Sequence, residues 1–173
     1  YKPAFPKIPH LPTERPPYDP KEVKVLTEYS RQKKIETSDE FYDDLSDFIY
    51  FCISAPVRPG KEVLEIKIKD INLINHIDFK DEKIMAVNIR KTKTKKHQVA
   101  PVHPEFCKQI YENRILKRRP KIQESEYLFF PQELNRERLF NRVSKSFSRI
   151  SQECELYIKN EKERPLYSLR HTH

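Results

Sequence analysis

Gly60 is the only glycine among 173 residues, and its isolation restricts what this chain can fold around. A dinucleotide fingerprint or a phosphate-cradling P-loop needs several glycines, because the backbone itself must approach phosphate closely. Nucleotide cofactors held in those ways are not expected, and no cofactor of any kind is assigned. Proline sets the other boundary. Seven of the 14 prolines fall within the first 20 residues, at Pro3, Pro6, Pro9, Pro12, Pro16, Pro17 and Pro20. That stretch reads as an extended, non-helical linker over residues 1–19, tethering the folded part to something upstream. Residues 20–173 then suffice for one domain with a real core.

Charge points to a partner. The formal net charge is +8, yet residues 1–50 carry 8 Lys/Arg against 10 Asp/Glu. The basic excess therefore lies entirely in residues 51–173. Such a body suits a polyanion, with double-stranded DNA the favoured candidate and a plain solvated surface the alternative. Cys52, Cys107 and Cys154 lie far apart, and no pair has zinc-ligand spacing. No metal site is assigned. With no secretory signal at the start, the expected compartment is the reducing cytoplasm. The longest apolar stretch, Phe48 to Val57, is too short to span a bilayer.

Periodicity outlines the elements. Asp19-Pro20 with Glu22 forms an N-terminal cap for a helix over about 20–34, burying Val23, Leu26 and Tyr29. Thr37 and Glu40 suggest a second capping box. The helix after it buries Phe41, Leu45, Phe48, Ile49 and Cys52 and shows Asp39, Asp43, Asp44 and Asp47 to water. A short helix is predicted at about 60–65, followed by strands around Ile66–Leu73, Ile84–Ile89 and His97–Val102. Helices at about 104–116 and 134–158 follow, with a short strand near Tyr127–Phe130 and another helix opening at Leu169. The class is α+β, mainly α-helical with a small antiparallel β-sheet.

Basic residues are arranged on these elements. In the helix at about 134–158, Phe140, Val143, Phe147, Ile150 and Cys154 form an apolar stripe. Arg138, Arg142, Lys145 and Arg149 recur on roughly the opposite face, a form suited to lying along a duplex. The run Arg90-Lys91-Thr92-Lys93-Thr94-Lys95-Lys96 is denser; its like charges repel unless phosphate lies between them. Arg114, Lys117, Arg118, Arg119 and Lys121 form a third cluster, which the dipole of a helix C-terminus explains at least as well.

Three segments identify a family. Ser54-Ala55-Pro56-Val57-Arg58-Pro59-Gly60-Lys61-Glu62-Val63-Leu64 precedes Lys69-Asp70-Ile71. Lys91-Thr92-Lys93-Thr94-Lys95 leads into Val99-Ala100-Pro101-Val102, and Pro165-Leu166-Tyr167-Ser168-Leu169-Arg170-His171-Thr172 closes the chain. In this order and spacing, over roughly residues 20–173, they resemble the catalytic domain of the tyrosine recombinases, the phage-integrase family. The resemblance implies the DNA breaking-rejoining fold of that family. It also implies site-specific recombination or integration through a 3′-phosphotyrosyl intermediate, without metal or ATP.

By the same resemblance, Arg58 is the first catalytic arginine, Lys93 the hairpin lysine and Arg170 the second arginine, with Glu62 as an orienting acid. Two arginines can grip both non-bridging oxygens of the scissile phosphate, and a lysine can protonate the departing 5′ oxygen. Tyr167 stands where the family usually has histidine, so it is expected near the phosphate but not as nucleophile. The family's nucleophilic tyrosine follows the second arginine by a few tens of residues, whereas this chain stops at His173. The expectation is a domain incomplete at its C-terminus, which binds DNA without cleaving it. When complete, the family assembles on DNA as a tetramer. A non-catalytic DNA-binding protein with the same fold and a type IB topoisomerase-like enzyme are the alternatives.

Overall fold

The computed structural model describes residues 15–90 and 97–171. Helix α1, Pro20–Thr37, starts at the expected cap: Asp19 accepts from the Glu22 amide, and Glu22 accepts from the Asp19 amide. It ends at Ser38, whose backbone turns left-handed (φ 55°). Helix α2, Phe41–Ser54, follows at once. Thr37 belongs to α1 and donates back to Lys33, so no Thr37–Glu40 box forms. Asp39 instead accepts from the Phe41 amide, an Asx-type start to α2.

After the short α3, Lys61–Leu64, and a 3-10 turn at Ile68–Asp70, the sheet begins. Strands β1 (Ile71–Asn75), β2 (Lys83–Ile89) and β3 (Gln98–Val102) pair antiparallel in that order. The register matches Leu73 to Met85 to Val102 and Ile71 to Val87 to Ala100, which places these apolar side chains on one face. Met85, Val87, Ala100 and Val102 are buried. The strand expected near Tyr127–Phe130 is reduced to a single bridge from Lys67 to Tyr127. Helix α4 is wound as a π-helix over Phe106–Ile115 and closes in an α-turn at Leu116–Arg118. The amphipathic α5 runs Arg136–Glu153, shorter than predicted. A two-stranded ribbon, β4 (Ile158–Lys159) with β5 (Lys162–Glu163), and a 3-10 helix, Leu166–His171, complete the chain. The described part is thus α+β with a small antiparallel sheet. Rings of Phe48, Phe51, Phe106, Phe129 and Phe130 meet in its core at centroid distances of 5.1–6.1 Å.

The acidic residues of α2 depart from expectation. Asp44 and Asp47 are buried, and they face α4 and not water. Arg114 Nε lies 2.7 Å from Asp47 and its Nη2 3.2 Å from Asp43, while Arg118 reaches Asp44 at 3.3 Å and Asp47 at 2.8 Å. Arg119 donates to the carbonyls of Tyr127 and Leu128. The acids and the third basic cluster are therefore each other's partners, and most of that cluster is consumed internally.

One member of this network titrates unusually. Burial pushes the Asp44 carboxyl from its ordinary 3.8 up to about 6, outweighing the pull of Arg118. Folded Asp44 thus holds its proton more tightly than unfolded Asp44. Its contribution favours folding below the unfolded value and is lost as pH rises through about 6. Asp44→Asn is expected to stabilise the fold near neutral pH by on the order of 2–3 kcal/mol, the gain vanishing toward acid pH. Urea midpoints across that range test this; a gain that persists unchanged in acid would contradict it.

Candidate functional site

The first arginine segment is a turn between α2 and α3. Ala55 leaves the helix in an extended conformation, Val57 and Pro59 are buried, and Arg58 between them is half-buried. Gly60 follows at φ 133°, where a Cβ would stand 2.8 Å from the Phe140 ring of α5. The lone glycine is therefore demanded twice, by backbone sign and by the ring pressed on it. Glu62 lies half-buried on α3.

The second arginine segment is the terminal 3-10 helix. Leu166, Ser168 and Leu169 are buried, and the element packs on α2 and α5. Arg170 is half-buried and its Nη1 donates to the Tyr167 hydroxyl at 2.6 Å. Tyr167 itself is 41% exposed, with its ring away from the core. Helix α5 is thus the shared support: the Arg58 turn leans on it through Gly60 and Phe140, and the Arg170 helix packs against it.

Among the described residues Arg58 makes no hydrogen bond or ion pair, and Arg170 faces no carboxylate. Of the other half-buried arginines, Arg114, Arg118 and Arg119 are held by carboxylates and Arg31 donates to Ser46, while the buried Arg164 and Arg136 are held by Glu22 and by main-chain carbonyls.

The cations of α5 divide into two kinds. Arg138, Lys145 and Arg149 are exposed, with no ion pair among the described residues, and lie within about 40° of one another around the axis. Arg142 is held by Asp39 at 2.9 Å and lies 3.8 Å over the Phe41 ring. Opposite them Val143, Phe147 and Ile150 are buried, as the stripe requires. Phe140 and Cys154 are only partly buried, and Leu139 and Arg136 complete the buried face. Arg90 is engaged too: its Nε lies 2.5 Å from Asp70, a buried carboxylate that also accepts from the Lys67 amide. Lys91, Lys93, Lys95 and Lys96 lie outside the described residues. No group of acids, histidines and cysteines suited to a metal occurs among the described residues, nor does a helix long and apolar enough to cross a membrane.

Arg136 was not singled out by the sequence reading, yet it secures the site. Its guanidinium donates to the carbonyls of Leu64, Phe129, Phe130 and Glu133 at 2.6–3.0 Å and stacks on Tyr127 at 3.8 Å. It ties the end of α3 to the segment before α5. The available signal was its phase: Arg136 stands in register with Val143, Phe147 and Ile150, the apolar stripe of α5.

No family model matches the chain, and neither a curated protein nor a solved structure matches it.

If the exposed face of α5 lies on a duplex, replacing Arg138, Lys145 and Arg149 together by glutamine is expected to lower the log–log salt slope of binding by about 2.7. Arg142→Gln alone is expected to change it less, because Asp39 already neutralises that cation. Fluorescence anisotropy against salt concentration measures both. An unchanged slope in the triple variant would mean that this face does not touch DNA.

Proposed function

We propose that this chain belongs to a DNA breaking-rejoining protein of the tyrosine-recombinase type, with the fold of that catalytic domain and double-stranded DNA as its partner. The observation that carries the reading is the condition of Arg58 and Arg170. The residues that the sequence pattern marks as phosphate ligands are half-buried, on elements that share α5 as support, and neither faces a carboxylate among the described residues. A half-buried guanidinium without a carboxylate suits an anion brought from outside.

In this reading the two guanidinium groups hold the non-bridging oxygens of one phosphate and stabilise the charge that builds on them during displacement. Tyr167 fixes the orientation of Arg170 through their hydrogen bond. Lys93 protonates the departing 5′ oxygen, and a tyrosine forms the 3′-phosphotyrosyl bond. The unpaired cations of α5 grip the flanking backbone, and the protein works as a tetramer on DNA. The proposed chemistry uses no metal ion.

One observation favours a second reading, a DNA-binding relative without catalysis: Tyr167 occupies the place of a proton-shuttling histidine, and a phenol is a far weaker acid than an imidazolium. A covalent-trap assay separates the two. The native protein, with any sequence that follows His173, is incubated with nicked duplex DNA and resolved on a denaturing gel. A protein–DNA adduct supports the recombinase reading. Duplex binding without an adduct supports the second.

A further inference from the structure

The edge of a β-sheet presents unpaired amide and carbonyl groups, and folded proteins blunt it with proline, charge or a bulge. The two edges of this sheet differ. The His76 amide donates to the Glu82 carbonyl. In the alternating antiparallel ladder, Asn72 and Ile74 therefore bond to β2, and Ile71, Leu73 and Asn75 point their backbone groups away from it. Carried across β2, the same alternation turns Val99 and Pro101 of β3 outward. Pro101 has no amide to offer, and that edge is blunted. Strand β1 has neither proline nor charge, and its pairing with β2 runs from Ile71 to Asn75 without a bulge.

This edge is open and apolar. Residues 72–75 are all exposed, so no described element covers it. Leu73 is 40% exposed and Ile74 59%, and Ile74 stands opposite the exposed Ile84 on the outer face. Ile77 and Phe79 continue the exposed apolar surface into the turn before β2.

The geometry of the strand selects its occupant. An antiparallel strand can pair with itself about a two-fold axis. With that axis at Leu73, Leu73 lies opposite Leu73 of a second copy and Ile71 opposite Asn75, so the outward-pointing residues are the ones that meet. The Ile71 amide is already taken by the Ile68 carbonyl. What remains makes two hydrogen bonds between the Leu73 residues and one from each Asn75 amide to the other copy's Ile71 carbonyl.

Charge agrees with the same axis. It sets the turn at 76–82 of each copy beside the chain that enters β1 in the other. The turn carries Asp78, Asp81 and Glu82 against Lys80, and the entry carries Lys67 and Lys69. The acid of the entry, Asp70, is buried against Arg90. Lys69, Asp78, Asp81 and Glu82 are exposed and have no ion pair among the described residues. Acidic turn and basic entry therefore face each other twice, once on each side of the axis.

We propose that β1 is a self-association edge, at which two copies of this chain pair antiparallel about Leu73 and join their three-stranded sheets into one. The interface is small, so the dimer is weak and reversible. The inference is independent of the DNA reading, because it uses neither Arg58 nor Arg170 and needs no DNA.

Sedimentation equilibrium of the 173-residue chain alone, over a range of concentrations, tests it. The unaltered chain is expected to dimerise. Ile74→Lys, at an exposed position outside the core, is expected to weaken the dimer by about tenfold or more, because it sets a charge beside the axis in both copies. Lys69→Glu and Asp78→Lys are each expected to weaken it too, and the double variant to restore it, since the swapped charges meet again across the axis. Recovery in the double variant also shows that neither substitution unfolds the chain. An unaltered chain that stays monomeric overturns the proposal and leaves the edge to a strand of another protein. A dimer that Ile74→Lys leaves at full strength overturns it as well, because association then uses another surface. So does a double variant no tighter than the single ones.

Discussion

Arg136→Ala is expected to destabilise the fold by about 3–5 kcal/mol, among the largest losses available to a single substitution. The change removes one side chain but orphans several acceptors. Leu64 receives both Nε and Nη2 of this guanidinium, Phe129 receives Nη2, and Phe130 receives Nη1, all in the buried interior. A buried carbonyl left without a donor costs about 1–3 kcal/mol, and the Tyr127 ring also loses the cation stacked on it. Arg136→Lys keeps the charge but replaces a planar fork with a point donor, so it is expected to recover only part of the loss. The reading is a shift in urea midpoint at unchanged slope. A loss below about 1 kcal/mol would mean that water or neighbouring donors take over the carbonyls. The consequence reaches the site, because Leu64 ends the helix that follows the Arg58 turn.

How far the sequence was legible follows from where each signal resides. The α1 cap was readable because Asp19, Pro20 and Glu22 act within one turn of backbone. Strands β2 and β3 were readable because alternation is a local consequence of pleating, whereas the first was placed too early: Ile68–Asp70 winds as a 3-10 turn and the strand runs Ile71–Asn75. The acids of α2 were misread for the opposite reason. Nothing within α2 reveals that Arg114 and Arg118, some 70 residues on, turn back to meet them. Charged residues in a helix read as a solvated face unless their partners are known, and those partners are tertiary. The same limit applies to Arg90 and Arg142, which are exposed as read but whose partners, Asp70 and Asp39, the sequence did not reveal. The buried face of α5 was read too narrowly: the stripe included Phe140 and Cys154, which are only partly buried, and missed Leu139. For the candidate site, the sequence supplied the identities of Arg58 and Arg170. Only the fold shows that both rest on α5 and that neither meets a carboxylate among the described residues.

The sharpest test of the functional reading separates grip from chemistry. Arg58→Ala and Arg170→Ala are each expected to reduce adduct formation by about 10³-fold or more, because each removes a charge aimed where negative charge builds in the transition state. Duplex affinity is expected to change little, since the exposed cations of α5 supply most of the sequence-independent grip. Tyr167→Phe belongs between these extremes. It deletes the 2.6 Å acceptor that orients Arg170 while leaving the guanidinium in place. Its expected effect is a rate reduced by roughly tenfold to a hundredfold with binding unchanged, the signature of a positioning group. Tyr167→His adds a discriminating step: imidazole titrates near neutrality where phenol does not, so a recovered rate with a new pH limb near 6–7 would identify this position as the proton-handling one. If binding and adduct formation instead fall together in Arg58→Ala and Arg170→Ala, these arginines serve general backbone contact, and the catalytic assignment fails.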